Sequence, residues 1–249
     1  MIFTFSVDDG HPSDMKMANL LSRHGMPATF YIPIVNDEGG QEVLSPNLIR
    51  ELGQEYEIGS HTFSHCFLNS VDVSHANLQI AGGKTMLESV LGRKVAGFCY
   101  PGGKFRKEHV ALVRSAGFGY ARTTMNLCFD AGVDRYRMPT SCQFYPHDRG
   151  VYLRNFARGG RWPHRLDGLI LALGRKTWIK RLYRMFDHAH STDTVFHLWS
   201  HSGDMDSLNA WDDLEEFIAY VRGCVPVANR LCNGQLAARF FPGPHQDLP

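Results

Sequence analysis

The chain has 249 residues, of which 43% are hydrophobic and 20% are charged, and its formal net charge is +1. This composition is ordinary for a soluble globular protein, and the near-neutral charge gives no case for nucleic-acid binding, which needs a strong basic excess. No stretch reaches the roughly 18 consecutive apolar residues that span a bilayer. Because the N-terminus also lacks a signal-peptide pattern, the sequence predicts a cytoplasmic location.

Strands and helices alternate along the sequence. The pattern predicts strands at residues 1–5, 28–33, 56–60, 95–100, 118–121 and 194–200, with a further strand end at 136–139. It predicts helices at residues 12–25, 45–52, 74–91, 107–115 and 207–222, the third weakened by Gly82 and Gly83, and a frayed tail at 241–249. This alternation predicts an α/β fold with a parallel sheet, in a single domain over residues 1–249.

Residues that can do chemistry follow the ends of several predicted strands. Asp8 and Asp9 follow the first strand, His61 and His65 follow the third, and His201 follows the last. Parallel barrels and open α/β sheets place their active sites at this edge. Taken singly, these residues are weak evidence, because Asp-Asp-Gly is an ordinary turn and most histidines have a structural role.

The combination of these residues is more informative. Asp9, His61 and His65 would supply one carboxylate oxygen and two imidazole nitrogens, with open positions for water, as at a catalytic zinc or a related divalent ion. The spacing of the two histidines would place both on one side of a helical turn. Asp8 would accept a proton from the bound water, and His201 would give a proton to a leaving group. Two titratable groups around one water predict a hydrolase.

Four motifs resemble the polysaccharide deacetylase family, carbohydrate esterase family four, which shares its catalytic domain with the nodulation chitooligosaccharide deacetylases. They are FSVDDG at Phe5–Gly10, HTFSH at His61–His65, FCYPGG at Phe98–Gly103 and FHLWSH at Phe196–His201. The resemblance implies an irregular (β/α) barrel of about seven parallel strands. It also implies one divalent metal ion, Zn²⁺ with Co²⁺, Ni²⁺ or Mn²⁺ as alternatives, and removal of an N-acyl, usually acetyl, group from an amino sugar.

The resemblance further implies a role for each matching residue. Asp8 is the general base and His201 the general acid, while Asp9, His61 and His65 hold the metal whose water attacks the amide. The backbone around Tyr100 would help to hold the oxyanion. We expect five residues around the substrate or the oxyanion: Tyr100, Pro101, Arg137, His197 and Trp199.

This chain departs from the family pattern in the third motif. Many members have an arginine there that orients the base, and this chain has Cys99. Arg137, near another strand end, could supply the missing cation or be a surface arginine. The aspartate–tryptophan motif expected further on is not evident. His197 shares a strand face with His201, which predicts a supporting or pocket role for it.

A basic segment at residues 154–186 completes the sequence picture. It carries nine Lys and Arg residues against the single acidic Asp167. The simpler interpretation is a solvated helix packed on the barrel. The alternative is peripheral contact with an anionic membrane or a sugar-phosphate carrier. A cytoplasmic deacetylase would need a substrate inside the cell, such as a nucleotide- or lipid-linked sugar in surface-glycan biosynthesis.

Two other functions stay open from the sequence. One is hydrolysis of a non-sugar amide, such as a cyclic imide, a ureide or a formamide. The other is an inactive relative that only binds glycan, which the arginine missing at Cys99 favours.

Overall fold

The first strand, β1 (Ile2–Asp8), lies at the centre of one parallel sheet, and every one of its residues is buried. The computed structural model describes residues 1–174 and 177–242. The other strands in these ranges are β2 (Thr29–Ile32), β3 (Glu57–Ser60), β4 (Gly97–Cys99), β5 (Tyr120–Arg122), β6 (Cys142–Gln143), β7 (Val195–His201) and β8 (Arg230–Leu231). Near-continuous apolar strands of this kind are expected where helices cover the sheet.

The strand order makes the sheet a curled half-barrel. The order is β5-β4-β3-β2-β1-β7-β6, with β8 also pairing with β1, and the pairings are parallel. The curl confirms the predicted α/β class and the irregular (β/α) barrel. Because all these strands run in the same direction, their carboxyl ends share one rim.

Helices cover the outside of this sheet. They are α1 (Asp14–Arg23), α2 (Pro46–Glu55), α3 (Val73–Leu91), α4 (Lys107–Ser115), α5 (Arg149–Gly159), α6 (Trp162–Leu173), α7 (Trp178–Ser191), α8 (Ser202–Ser207), α9 (Trp211–Cys224) and α10 (Asn233–Phe240). Within residues 1–174 and 177–242, no helix is both long enough and apolar enough to cross a bilayer. The cytoplasmic location stays a prediction.

Three parts of the predicted element pattern differ from the structure. The helix expected at 207–222 begins only at Trp211, as α9, after a turn in which Asn209 has a φ of 51°, and Ser202–Ser207 form a separate short helix, α8, which was not predicted from the sequence. The strand end expected at 136–139 is an isolated bridge between Met138 and Arg122, and the next paired strand is β6. The sequence missed β8 and α10. Of the predicted tail and basic segment, residues 243–249, Arg175 and Lys176 lie outside the described residues.

Gly82 and Gly83 do not interrupt α3, which runs unbroken to Leu91. A Cβ on Gly83 would lie 2.7 Å from the backbone of Thr62. Gly83 therefore lets α3 pack closely against the loop that carries His61 and His65.

Candidate active site

The end of β1 separates the two adjacent aspartates. Asp8 is the last residue of the strand and lies in register with His201 on β7. Asp9 has a φ of 81° and Gly10 a φ of 65°. Few residues other than glycine adopt this left-handed region, although aspartate tolerates it better than most. The turn thus sends the two carboxylates to different partners.

Asp9, His61 and His65 converge at the rim. The Oδ1 atom of Asp9 lies 3.1 Å from Nε2 of His65 and 3.5 Å from Nε2 of His61. One ligand atom from each of the three residues lies within 4.8 Å of the others. The expected helical turn at the histidines is wrong, because residues 61–65 form an irregular loop in which Thr62 and His65 have positive φ. The loop conformation, not helix pitch, brings the two rings together.

The chemistry of these three groups fits a divalent metal ion. Nδ1 of His61 lies 2.8 Å from the carbonyl oxygen of Cys99, so it donates there and leaves a lone pair on Nε2. In the described structure Oδ1 of Asp9 is buried and has no hydrogen-bond donor. A carboxylate oxygen and imidazole lone pairs at this separation repel one another unless a cation or proton joins them. Zn²⁺ takes this donor set.

A second group of donors lies close by but is a poorer metal site. Asp8, His61 and Cys99 also offer ligand atoms within 4.8 Å of one another. Burial raises the pKa of the Cys99 thiol well above its usual value, and the nearby Asp8 and Asp9 charges act in the same direction. Because the thiolate is the ligand form of cysteine, a protonated Cys99 disfavours this set.

Arg122, on β5, provides the cation that the third motif lacks. Its Nη2 donates to Oδ1 of Asp8, and both side chains are almost fully buried. Arg122 is the register partner of Cys99 between β4 and β5, so the guanidinium comes from the neighbouring strand. Its Cζ lies 5.2 Å from the ring centroid of Tyr31 and 5.0 Å from that of Trp199, which hold it in place. An arginine at the end of an otherwise apolar strand was the sequence signal for this role.

Of the two alternatives left open for Arg137, the structure favours the surface arginine over the cation at Asp8. Its side chain is 55% exposed, and its Nε donates to Oδ2 of Asp134 at 2.8 Å. The side chain lines a rim cleft together with Lys104 and Arg158.

His201 lies at the same rim, between Asp9 and Asp204. Its Nδ1 donates to Oδ2 of Asp204 at 2.8 Å, and its Nε2 lies 3.7 Å from Oδ2 of Asp9. Burial alone would lower the pKa of His201, but the hydrogen bond to Asp204 and the charges of Asp9 and Asp8 raise it to about 9. His201 is therefore protonated at neutral pH.

Tyr100 and Pro101 are parts of the scaffold. The backbone N–H of Tyr100 donates to the carbonyl of Arg122 at 3.3 Å, and a role of the backbone around Tyr100 in holding an oxyanion stays a prediction. The Tyr100 hydroxyl donates to the carbonyl of Tyr136, and its ring stacks on Phe105 at 3.9 Å. Pro101 is buried and begins a short 3-10 helix, Pro101–Gly103.

His197 and Trp199 lie at different depths of β7. His197 is opposite Thr4, deep in the barrel, where its Nδ1 donates to the Pro139 carbonyl and its Nε2 accepts from the Ser6 hydroxyl. Burial lowers its pKa well below the usual value, so the ring is neutral, and its buried position fits the predicted supporting role better than the pocket role. Trp199 is 8% exposed and packs edge-on against the His201 ring at 5.2 Å, so it does lie at the site.

Comparison with known proteins places these motifs in a family. The polysaccharide deacetylase family model matches residues 2–121, which include β1 to β4 and the cluster of Asp8, Asp9, His61 and His65. Over this region the chain is similar to the polysaccharide deacetylase family. A chitin deacetylase from Pestalotiopsis sp is 31% identical over 126 residues, which are 50% of this chain and 41% of that protein. The chain thus spans about two fifths of the length of this curated relative.

Solved structures of the polysaccharide deacetylase family share the fold. A Mycobacterium smegmatis protein described as a polysaccharide deacetylase superposes with a TM-score of 0.63 at 15% identity, covering 99% of this chain and 93% of that one. The Streptococcus pyogenes deacetylase PplD, solved with acetate, gives a TM-score of 0.51 at 16% identity over 55% of this chain and 62% of its own. The first match extends the shared architecture to the whole chain, including β5 with Arg122.

Within the deacetylase family pattern, Arg122 changes the interpretation of Cys99. The missing arginine was the feature that favoured an inactive, glycan-binding relative. Since Arg122 reaches Asp8 from β5, the carboxylate has its cationic partner and that argument for inactivity no longer holds.

Proposed function

We propose that this protein is a metal-dependent amide hydrolase that removes an N-acyl group, most simply N-acetyl, from an amino sugar. The observation that carries the proposal is the convergence of Asp9, His61 and His65 on one point, beside an Asp8 carboxylate that Arg122 holds separately. The similarity of residues 2–121 to the polysaccharide deacetylase family supports the same chemistry.

The arrangement gives each residue one task. A divalent cation held by Asp9, His61 and His65 would polarise the amide carbonyl and acidify a water molecule. Asp8, oriented by Arg122, accepts a proton from the water molecule while the oxygen of that water bonds to the carbonyl carbon. His201 donates a proton to the amide nitrogen as the carbon–nitrogen bond breaks, so the amine leaves uncharged. The products are the free amino sugar and a carboxylic acid.

A cationic cleft beside the candidate site supports a phosphate-bearing substrate. The cleft, about 310 Å³, lies past the ends of β4 and β5, and its described lining includes no carboxylate. Lys104, Arg137 and Arg158 each line it with an exposed side chain. The sugar would thus carry a phosphate or diphosphate, as nucleotide- and lipid-linked sugars do. Arg158 belongs to the basic segment at residues 154–186. A phosphate-bearing substrate in the cleft would therefore contact that segment, in line with the predicted contact with a sugar-phosphate carrier in glycan biosynthesis.

Amine release by the purified, metal-loaded protein tests the reaction. The substrates are N-acetylglucosamine as a chitooligosaccharide, as a sugar phosphate and as a uridine diphosphate conjugate, with an N-formyl sugar and a cyclic imide alongside. We expect Asp8→Asn to lower kcat by about 10²–10⁴-fold with metal content unchanged. Asp9→Asn should instead lose the metal. A wild type that binds saccharide but hydrolyses none of the sugar amides would reject the proposal, and turnover of the imide alone would favour the non-sugar alternative.

Substitutions in the cleft test the substrate class. Losing one charge-assisted hydrogen bond costs about 1.5–3 kcal/mol, so Lys104→Ala and Arg158→Ala should each raise KM for the sugar phosphate about 10- to 100-fold. KM for the neutral oligosaccharide should not change. Arg154→Ala is the matched control, because Arg154 is an exposed arginine of the same helix, α5, outside the cleft lining. Equal effects on both substrates would argue against a phosphate in the cleft.

A further inference from the structure

Helix α6 buries a charged and a small residue and exposes large apolar ones, the reverse of the usual pattern for a surface helix. It buries Arg165 and Gly168, while Trp162, Leu166 and Ile170 are 54%, 49% and 59% exposed. These three apolar residues are spaced four apart and therefore form a row about 12 Å long on one helix face, at 1.5 Å per residue. Leu153 of α5, which packs against α6, is a further 48% exposed.

The buried arginine shows why α6 has this orientation. Nε of Arg165 donates to the Asn126 carbonyl at 2.8 Å, and its two terminal nitrogens donate to the carbonyls of Gly160 and Asn155 at 2.9 Å. A Cβ on Gly168 would lie 2.8 Å from the side chain of Leu127. Both contacts fix the polar and small side of α6 against the barrel, so its apolar row must face outward.

Exposed basic side chains lie on the two helices that pack against α6. On the helices that pack against α6, the exposed basic residues include Arg154 and Arg158 of α5 and Lys180 and Arg184 of α7. Residues 149–184 contain ten of the chain's 26 Lys and Arg residues but one of its 25 Asp and Glu residues, which leaves the remaining residues with a net charge of −8. The segment of the chain that contains the apolar row is therefore strongly basic.

We infer that the apolar row of Trp162, Leu166 and Ile170, with the exposed basic residues of α5 and α7, docks on the surface of an anionic lipid bilayer. Interfacial helices combine an apolar face that includes Trp and Leu with flanking Lys and Arg, and bind where anionic headgroups meet the acyl chains. Each basic residue near such a surface adds about 1 kcal/mol of attraction. A second copy of this chain is a poor occupant of the same face, because two positive surfaces would oppose each other.

This docking surface does not depend on the proposed deacylation, since lipid binding needs no turnover. It would hold the rim cleft close to the membrane, because Arg158 lies both on α5 and in the cleft lining. A lipid-linked sugar could then reach the cleft from the bilayer.

Co-sedimentation with vesicles tests the docking surface. The full chain is mixed with vesicles of phosphatidylcholine, with and without phosphatidylglycerol. We expect binding only to the anionic vesicles and weaker binding at high salt. Leu166→Gln with Ile170→Gln should weaken binding about tenfold or more, because half-burying two aliphatic side chains contributes roughly that factor. Lys180→Glu with Arg184→Glu should weaken binding by a similar factor.

A matched pair of apolar substitutions controls for general surface effects. Leu78 and Met86 of α3 are 69% and 43% exposed, and Leu78→Gln with Met86→Gln should bind vesicles like the wild type. Circular dichroism checks that each variant is folded. The inference is overturned if the wild type binds neither vesicle, if it binds both equally, or if the α6 and α3 variants behave alike. It is also overturned if the wild type dimerises in solution through α6, as shown by a dimer that the α6 variant abolishes.

Discussion

Arg122 and Asp8 form a buried ion pair across the inside of the barrel. In the sheet β5 and β1 are separated by β4, β3 and β2, so the curl of the sheet, not strand adjacency, brings the guanidinium to the carboxylate. Tyr31 and Trp199 flank the guanidinium, while the Cys99 thiol lies 3.8 Å from the other oxygen of Asp8. The candidate base is thereby held from one side by a strand that the family motifs do not include.

We expect Arg122→Met to lower kcat about a hundredfold or more, because an unpaired Asp8 loses its fixed direction. Metal content should stay the same, since Asp9, His61 and His65 do not contact Arg122. Removing one partner of a buried pair should also lower the free energy of unfolding by about 3–5 kcal/mol. Steady-state kinetics, metal analysis and urea unfolding measure the three effects. Arg50→Met, which removes an exposed arginine of α2, is the control.

An exchange variant separates orientation of the base from simple instability. Cys99 and Arg122 are register partners on neighbouring strands, so their side chains point to the same side of the sheet. Cys99→Arg combined with Arg122→Cys moves the guanidinium one strand closer to Asp8 in the sheet order. We expect this double variant to recover at least about tenfold in kcat over Arg122→Cys alone. No recovery in a folded double variant would contradict a purely orienting role for the cation.

The convergence of Asp9, His61 and His65 could be predicted because it depends on short-range pattern and parallel topology. Asp9, His61 and His65 each follow a strand of the same sheet, and parallel strands bring such positions to one rim. The sequence predicted most strands and helices for the same reason, since each shows its own periodicity and end signals.

The cation at Asp8 could not be predicted in this way. The Arg122 contact spans 114 residues and depends on how far the sheet curls, which no local pattern specifies. Arg137 lies in a segment that resembles a strand end, but only Met138 forms a bridge there, and Arg137 faces outward. The orientation of α6 could not be predicted for a related reason, because an arginine in a helix is normally exposed, whereas Arg165 is buried.

The contact between α3 and the histidine loop predicts opposite effects for two adjacent glycines. Gly83→Ala should push Thr62 away and displace His61 and His65, because its Cβ would lie 2.7 Å from the Thr62 backbone. We expect metal affinity to fall at least about tenfold, as for loss of groups that orient ligands. Gly82→Ala is the control, since its Cβ would meet nothing closer than Phe63 at 3.5 Å.

The control variant Gly82→Ala is expected to be more stable than the wild type. Replacing glycine by alanine within a helix stabilises it by roughly 0.5–1 kcal/mol, so Gly82→Ala should unfold at higher urea concentration and bind metal normally. Isothermal titration with Zn²⁺ measures the affinities. Equal Zn²⁺ affinities for the two variants would show that the loop moves freely with respect to α3.

Asp204 should control how His201 delivers its proton. The carboxylate accepts from Nδ1 of His201 at 2.8 Å and is the largest influence that raises the pKa of that imidazole. A general acid must be protonated, so activity is present below its pKa and is lost as pH rises through it. Asp204→Asn should therefore move the alkaline limb of kcat to lower pH and reduce kcat about tenfold or more. Asp212→Asn, at an exposed position of α9, should leave the pH profile unchanged.

The buried Asp14 carboxyl should make the free energy of unfolding of the protein depend on pH. Its side chain is 0% exposed at the start of α1, and burial raises its pKa well above the usual value, with the charges of Asp9 and Asp8 adding to the rise. The folded chain therefore holds a proton on Asp14 where the unfolded chain has lost it. For such a group the stabilisation is complete below the unfolded pKa of about 3.9 and disappears as pH rises toward the folded value.

An uncharged residue in place of Asp14 removes the loss of stability that occurs as pH rises. We expect Asp14→Asn to raise the free energy of unfolding by at least about 1.4 kcal/mol at about pH 8, the equivalent of one pKa unit, and by much less at about pH 4.5. Urea unfolding of the chelator-treated protein at the two pH values measures the difference, with Glu51→Gln on the exposed side of α2 as the control. If Asp14→Asn instead lost stability equally at both pH values, the residue would be acting through its shape and hydrogen bonding, because a penalty from a buried charge must grow as the carboxyl ionises.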